Sequence, residues 1–315
     1  MSKKVLLLGV KPTGRPHLGN YFGMMQPAIA MQYDYDSYLF IPDLHALMTI
    51  QSGEEMRDTI LSVALDYLSA GLDPEHTVLF KQSDVPQHTE LCWIFDTITT
   101  MPYLMRAHAF KDAEAKNKDI TVGVFNYPML MAADILLYDA DIVPVGQDQK
   151  QHIEFARDTA LKFNNLYGET FKLPEASIQE SVAVVPGTDG QKMSKSYKNT
   201  IPLFATREEV QKAVMGIVTD SSGDRPENVY RIHRLFKSEA ELEPIYAANA
   251  GNYKALKEML AEEIDAFIAP MRERRAQFAA EPEKVKAIIA QNGERARAVA
   301  ERKMVDVRNK IGVTL

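Results

Sequence analysis

Four short apolar runs in the first half of the chain constrain the fold most. Residues 4–9, 38–42, 78–81 and 142–146 each read as a buried strand. Between and after them lie stretches with apolar residues at helical spacing: 18–32, 53–70, 87–101, 128–138 and 149–163. Strands separated by helices require parallel crossovers, hence an α/β sheet covered on both faces. In such sheets ligands sit beyond the carboxyl ends of the strands. After about residue 202 the strand pattern stops, and 206–216, 228–236, 239–248, 253–277 and 282–310 all read as helices. A boundary near 200 follows, with an α/β unit before it and a helical unit after it.

Composition excludes several classes. The chain is 46% apolar and 25% charged, which is too apolar for a disordered polymer. A single cysteine, Cys92, excludes an internal disulfide framework and any multi-cysteine metal site. The opening MSKKVLLLGV is too short an apolar stretch for a signal-peptide core, and nothing else approaches a membrane span, so a cytoplasmic protein is expected. The net charge of −7 gives no global attraction to nucleic acid. The charge is uneven, however: from Ala269 onward eleven Lys and Arg face six Asp and Glu. That basic helical tail suits a nucleic-acid contact and equally suits a solvated helix face.

The first strand ends in Gly9-Val10-Lys11-Pro12-Thr13-Gly14-Arg15-Pro16-His17-Leu18-Gly19-Asn20. The Gly9 to Gly14 spacing mimics a P-loop, but Arg15-Pro16 stand where Lys and Ser or Thr are required. What remains is His-Leu-Gly-Asn opening a helix. Free N–H groups there favour phosphate, His17 and Asn20 can add side-chain donors, and Gly19 leaves room for a flat base. A plain helix cap is the competing reading. A second signal, Lys192-Met193-Ser194-Lys195-Ser196, follows the polar turn Pro186-Gly187-Thr188-Asp189-Gly190. Two lysines on a Gly-rich loop suit a polyphosphate, although a lone basic loop is more often only solvated.

The third block is Tyr127-Pro128-Met129-Leu130-Met131-Ala132-Ala133-Asp134-Ile135-Leu136-Leu137-Tyr138. Pro128 suits the first position of a helix. At 3.6 residues per turn, Tyr127, Met131, Asp134 and Tyr138 share a stripe. A carboxylate among Met and Tyr side chains is costly without a partner. Asp134 is then an exposed acid on the helix edge, one half of an ion pair, or an acceptor for a ligand N–H such as that of indole. The strand at 142–146 leads into Gln147-Asp148-Gln149, at a position suited to ribose or amino-acid recognition, or to a simple N-cap.

His-Leu-Gly-Asn and Lys-Met-Ser-Lys-Ser, at the two ends of an α/β unit, resemble the paired signatures of class I aminoacyl-tRNA synthetases. With the run from Tyr127 through Asp158, the whole resembles the bacterial-type tryptophanyl-tRNA synthetases. The resemblance covers essentially the whole chain and is weaker in the helical half, where pieces such as Val218-Thr219-Asp220-Ser221 match. It implies a class I Rossmann-like parallel sheet with helices on both faces, followed by an all-helical C-terminal domain. It also implies a catalytic domain over 1–200, with dimer-forming connective helices, and an anticodon-binding domain over 201–315 whose last helix packs back on the catalytic domain.

The activity implied is ATP-dependent ligation of tryptophan to tRNA(Trp), through tryptophanyl-adenylate, by a cytoplasmic homodimer. Mg2+ would come with ATP as substrate, with no protein-bound metal and no membrane. The resemblance makes His17, Asn20, Lys192 and Lys195 catalytic. It places Lys11, Pro12, Thr13, Gly19, Asn20, Gly146, Gln147, Asp148, Val184, Val185, Lys192, Met193, Ser194, Lys195 and Ser196 along ATP. The tryptophan pocket would take Gly9, His45, Tyr127, Met131, Asp134, Val143, Val145 and Gln149, with Asp134 accepting the indole N–H. The arginines of Met271-Arg272-Glu273-Arg274-Arg275 and the basic tail are candidates for tRNA. Cys92 and Trp93 lie on a core or interface helix.

The family usually has Gln where this chain has Lys11, Glu where it has Gln147, and Asp-Gln where it has Asp43-Leu44. Lys11 sets a new charge beside the substrates, which suggests a divergent but active paralogue with an altered response to tryptophan analogues. Three other readings stand beside this one: a tyrosyl-tRNA synthetase, a nucleotide or pantothenate-type ligase of the same superfamily, and a non-catalytic paralogue that senses tryptophan or ATP.

Overall fold

The structure is a computed structural model that describes residues 3–11, 14–115, 119–145, 150–178, 185–219 and 225–314. Its centre is a five-stranded, wholly parallel sheet in the order β3-β2-β1-β4-β5. The strands are β1 (Val5–Gly9), β2 (Asp36–Ile41), β3 (Thr77–Lys81), β4 (Ile142–Val145) and β5 (Glu175–Ile178). The first four are the apolar runs of the sequence, as parallel strands buried on both faces require. β5 was not expected, because Glu-Ala-Ser-Ile has no apolar run. Its strand character comes from pairing: Ile142 registers with Glu175 and Val145 with Ile178 at the sheet edge.

The principal helices are α1 (Gly53–Ala70), α2 (Gln87–Ile98), α3 (Val122–Leu136), α4 (Lys150–Tyr167), α5 (Arg207–Met215), α6 (Glu227–His233), α7 (Glu239–Ala248), α8 (Tyr253–Ala280) and α9 (Pro282–Ile311). Short helices Met101–Leu104 and His108–Ala115, unforeseen in the sequence, fill the crossover between α2 and α3. α3 also corrects an expectation, since Pro128 lies inside it and not at its start. The true N-cap is Thr121, whose hydroxyl accepts from Val124 N at 3.3 Å. An interior proline withholds the N–H due to the carbonyl four residues back, a cost of about 3 kcal/mol. Burial of Met129, Ala132, Ala133, Ile135 and Leu136 offsets that cost.

Two apolar clusters lie on opposite faces of the sheet. Leu8, Leu39, Ile41 and Leu79 join α1 and the helical half, while Leu7, Phe40, Val78, Phe80 and Val143 join α2, α3, α4 and part of α9. Alternate residues of β1, β2 and β3 therefore serve different cores.

The helical half is wired to the α/β half largely through arginines. Arg275 Nε donates to Asp66 Oδ1 at 2.7 Å and Arg274 Nε to Ser69 O at 2.8 Å, while Arg272 Nη1 holds the segment just past the boundary through Ala205 O at 2.5 Å. On α9, Arg297 donates to Asp84 O at 2.6 Å, Arg295 to Pro74 O at 3.0 Å, and Arg308 Nη2 to Glu90 Oε2 at 2.6 Å. Arg272, Arg274 and Arg275, the tRNA candidates of the sequence, thus each spend at least one donor inside the molecule, and Arg274 is exposed. Burial lifts the Asp66 carboxyl to about 6, although Arg275 pulls the other way.

α9 approaches the turn after β3 closely at Gly293. A Cβ on Gly293 would stand 2.9 Å from the Asp84 Cβ, too near for a side chain to give way. Overpacking of this kind costs about 1–3 kcal/mol, against the roughly 1 kcal/mol that alanine gains over glycine in a helix. Gly293→Ala is therefore expected to lower the urea midpoint. A raised midpoint would show that α9 stands off Asp84.

Candidate active site

The carboxyl end of β1 runs into the loop that carries His17 and Asn20. Gly9 has no room for a side chain, since a Cβ would meet the Phe40 ring at 3.0 Å. His17 caps the helical turn Leu18–Asn20: its Nδ1 accepts from Asn20 N at 3.3 Å, and Asn20 Oδ1 accepts from His17 N at 3.1 Å. The acceptor role of Nδ1 leaves the ring proton on Nε2. Burial, then the charge of Lys195, lowers the His17 pKa to about 4, so the ring is neutral at pH 7. His17 is thus a neutral donor, not a cation.

The second loop is held by Asn199, which is 2% exposed. Its side chain accepts from Ser194 N at 2.8 Å and donates to Asp189 Oδ1 at 2.7 Å and Lys192 O at 3.0 Å. Gly187 lies so close that a Cβ would fall 2.2 Å from Asn199 Nδ2. Gly190, at φ +82°, is packed against Asn228 of α6, and Val218 N donates to Thr188 O at 2.8 Å. The loop is therefore set by the helical half as much as by the sheet.

The two loops meet. Met193 is buried, and its Sδ lies 3.3 Å from Gly19 N. A Cβ on Gly19 would clash with His17 Nδ1 at 2.8 Å and press on Met193. Beyond this contact, Leu18 N donates to Ile201 O and Leu203 N to Pro16 O, both at 2.9 Å. The junction opens into a cleft of ≈ 290 Å³ lined by Gly14, Arg15, His17 and Lys195 among others. Desolvation lowers the Lys195 pKa, opposed by Asp66.

The third block converges on Asp134, which is 1% exposed. Gln82 Nε2 and His88 Nδ1 each donate to its Oδ1 at 2.7 Å, and His45 Nε2 donates to Oδ2 at 3.0 Å. Burial pushes the carboxyl pKa up, but the hydrogen bonds from His45 and His88 prevail and hold it at about 2. Asp134 is therefore ionised at neutral pH and neither exposed nor uncompensated. Tyr138 donates its hydroxyl to His88 Nε2 at 2.9 Å, fixing the tautomer. Tyr127 packs edge-on against His45 and bonds His152 Nε2 at 2.8 Å. A carboxylate offers about four acceptor positions, and these three bonds leave one.

Of the residues assigned from the sequence, His17, Gly19, Asn20, Met193 and Lys195 are brought together at one junction, and His45, Tyr127 and Asp134 at another. Ser194 and Ser196 serve the loop itself, Ser194 Oγ accepting from Ser196 N at 3.3 Å. Lys192 is exposed in the same loop, and Lys11 is exposed at the end of β1. Val143 and Val185 are core residues at 4% and 5% exposure, in different clusters. Met131 is half-buried against the α3 cluster. Pro12, Thr13, Gly146, Gln147, Asp148, Gln149 and Val184, and the Val145 side chain, lie outside the described residues. Sequence reasoning missed Gln82, His88 and Asn199. Asp134 itself was the available signal, since a buried carboxylate needs donors, but no local pattern says which elements supply them. Among the described residues no three His, Cys, Asp or Glu side chains are grouped to hold a metal, and no helix is long and apolar enough to cross a membrane.

The family model "tRNA synthetases class I (W and Y)" matches residues 2–279. A tryptophan–tRNA ligase of Rhodopirellula baltica is 46% identical over 94% of this chain and 95% of its own length. One from Fusobacterium nucleatum is 42% identical over 98% and 97%. A crystal structure of tryptophanyl-tRNA synthetase from Campylobacter jejuni, complexed with ADP and tryptophan, superposes with a TM-score of 0.92 at 41% identity, covering 98% of this chain and 99% of that one.

The His17 cap needs a neutral ring. Its pKa of about 4 lies below the ordinary 6.5, so as pH falls the unfolded chain binds the proton first. Stability is therefore complete above about 6.5 and declines toward 4, by up to about 3 kcal/mol. His17→Asn keeps an acceptor for the cap without the titration. It is expected to flatten the dependence of unfolding free energy on pH across that window, measured by urea denaturation. An unchanged slope would remove His17 from this role.

Proposed function

The chain belongs to the class I tRNA synthetases of tryptophan and tyrosine, in the bacterial tryptophanyl branch, and we infer from this that it is a tryptophan–tRNA ligase. It activates L-tryptophan with ATP and transfers it to tRNA(Trp). The observation that carries the reading is likeness at 42–46% identity along nearly the whole chain to ligases of that name. The buried Asp134 carboxylate agrees with it, since one acceptor position suits the single donor of an indole.

In the first step a carboxylate oxygen of tryptophan attacks the α-phosphorus of ATP. The bond to the bridging oxygen of the β-phosphate breaks, and pyrophosphate leaves with that electron pair. In the second, a hydroxyl of the tRNA's terminal ribose attacks the activated carbonyl, and AMP departs. No covalent enzyme intermediate is needed, so the protein's part is positioning and charge stabilisation.

In this reading Lys195 and Lys192 face the polyphosphate, and Lys195 stabilises the leaving pyrophosphate. Neutral His17 donates from Nε2. Asn20 holds His17 through the reciprocal cap. His45, Gln82 and His88 keep Asp134 ionised and aimed, with Tyr127 closing the pocket. A site built around a substrate N–H discriminates strongly against amino acids that lack it. Mg2+ enters with the nucleotide as part of the substrate. The remaining assigned residues, Lys11 to Thr13, Gly146 to Gln149, Val184 and Val185, line the nucleotide and amino acid as the family resemblance implies. Residues 1–200 form the catalytic domain, and 201–315 hold the anticodon end of tRNA. The protein acts in the cytoplasm.

Trp93, Met101, Met105 and Val122 support a homodimer. They are 70%, 67%, 45% and 81% exposed, on and beside the mutually packed α2 and α3. Sedimentation is expected to give twice the 35.4 kDa chain mass, and Trp93→Glu to release the monomer. A monomeric parent would refute the dimer.

ATP–pyrophosphate exchange, tested with each of the twenty amino acids, checks the function. Exchange with tryptophan alone is expected, and Asp134→Ala should lose it by more than about 100-fold. Exchange with tyrosine would overturn the specificity. Tryptophan binding without exchange would favour a sensor. Lys11→Gln is expected to change sensitivity to tryptophan analogues, and equal sensitivity would sink the idea of a divergent paralogue.

A further inference from the structure

Arg15 stands in the nucleotide cleft beside His17 and Lys195, yet neither sequence signature includes it. Its guanidinium forms a two-pronged pair with Glu209: Nη1 to Oε1 at 3.0 Å and Nη2 to Oε2 at 2.8 Å. Nη2 also donates to Phe204 O at 2.9 Å. Both side chains are nearly half exposed, at 47% and 45%. Glu209 belongs to the helical half, in the first turn of α5, where it also accepts from Thr206 N at 2.8 Å. The fork that fits a carboxylate fits two oxygens of a phosphate equally well.

The energetics favour exchange. An exposed ion pair of this kind shifts an equilibrium by only about two- to fivefold. A polyphosphate between Arg15 and Lys195 would gain two cations at once. Glu209 loses little when released, because the Thr206 N–H and the α5 N-terminus still receive its charge. Gly14, at φ +56°, keeps the wall between the cations bare: a Cβ there would stand 3.7 Å from Lys195 Nζ.

We propose that Arg15 is a ligand for the polyphosphate of ATP and that Glu209 is its built-in competitor, displaced when the nucleotide binds. Nucleotide occupancy then removes one tether between the β1 loop and the helical half, while the Phe204 carbonyl bond and the Ile201 and Leu203 backbone bonds remain. The inference rests on the ligase reading for the identity of the nucleotide and adds a residue to that site.

Calorimetric titration of the full chain with ATP and with AMP tests it. Arg15→Gln is expected to weaken ATP binding about tenfold and leave AMP unchanged. Glu209→Gln retains an acceptor for the Thr206 cap and removes the competing charge. It is expected to tighten ATP about two- to fivefold, again without effect on AMP. In the double variant the gain should vanish, because there is no longer a fork to release. Parent-like ATP affinity in Arg15→Gln, weaker or unchanged ATP binding in Glu209→Gln, or equal effects on AMP would each overturn the proposal. Should Arg15→Gln fail to fold by thermal denaturation, Glu209→Gln decides alone. The expected affinities in a chain that shows no tryptophan-dependent exchange would uphold the Arg15 role and overturn the ligase reading. Intact exchange with unaltered ATP affinity in both variants would do the reverse.

Discussion

Two backbone hydrogen bonds, Leu18 N to Ile201 O and Leu203 N to Pro16 O, hold the two signature loops together. They join the loop after β1 to the segment that follows the second signature, nearly two hundred residues later. Because they are main-chain bonds, side-chain changes cannot easily replace them. Everything near the cleft refers to this seam. His17 bridges to Pro202 across it, Met193 folds under Gly19 beside it, and Arg15 reaches Phe204 along it. The helical half grips the same segment from outside, through Arg272 on Ala205 O and the Arg275 guanidinium over the Phe204 ring. A short strip of chain thus serves two bodies, so the two signature loops are sensitive to the placement of the helical half.

The surroundings of Asp134 depend on a different device. An ionised carboxylate without solvent is unstable unless its lone pairs are occupied. At Asp134 three donors arrive from three places: Gln82 just after β3, His88 on α2, and His45 after β2. His88 is fixed in turn by Tyr138, and Tyr138 stacks near Tyr38 of β2. The acceptor is therefore held by the sheet and two helices together, which makes it rigid. The same construction makes the group a structural liability, because removing any donor leaves buried charge behind.

The sequence showed the strand–helix alternation because parallel strands buried on both faces must be apolar throughout. β1, β2, β3 and β4 could be read for that reason. β5 could not, because an edge strand such as Glu175–Ile178 owes its conformation to its partner and not to its residues. Pro128 misled in the same way: its local preference is for a helix start, and packing of α3 overrode it. The bonds of Arg274 and Arg275 to α1 could not be read either, because a charge count along a helix says nothing about the acceptors that the α/β half turns toward it.

The two signatures and Asp134 were likewise visible in the sequence, since chemistry demands particular residue types at particular spacings. The sequence by itself therefore determined four of the five strands and the family. Only the tertiary structure decided that Asp134 accepts from Gln82, His88 and His45, that Asn199 ties the second loop, and that Glu209 lies on Arg15. Each of those contacts joins residues from five to nearly two hundred positions apart. Local pattern carries propensity and periodicity, whereas the pairing of buried or charged groups is settled by which surfaces the folded chain presses together.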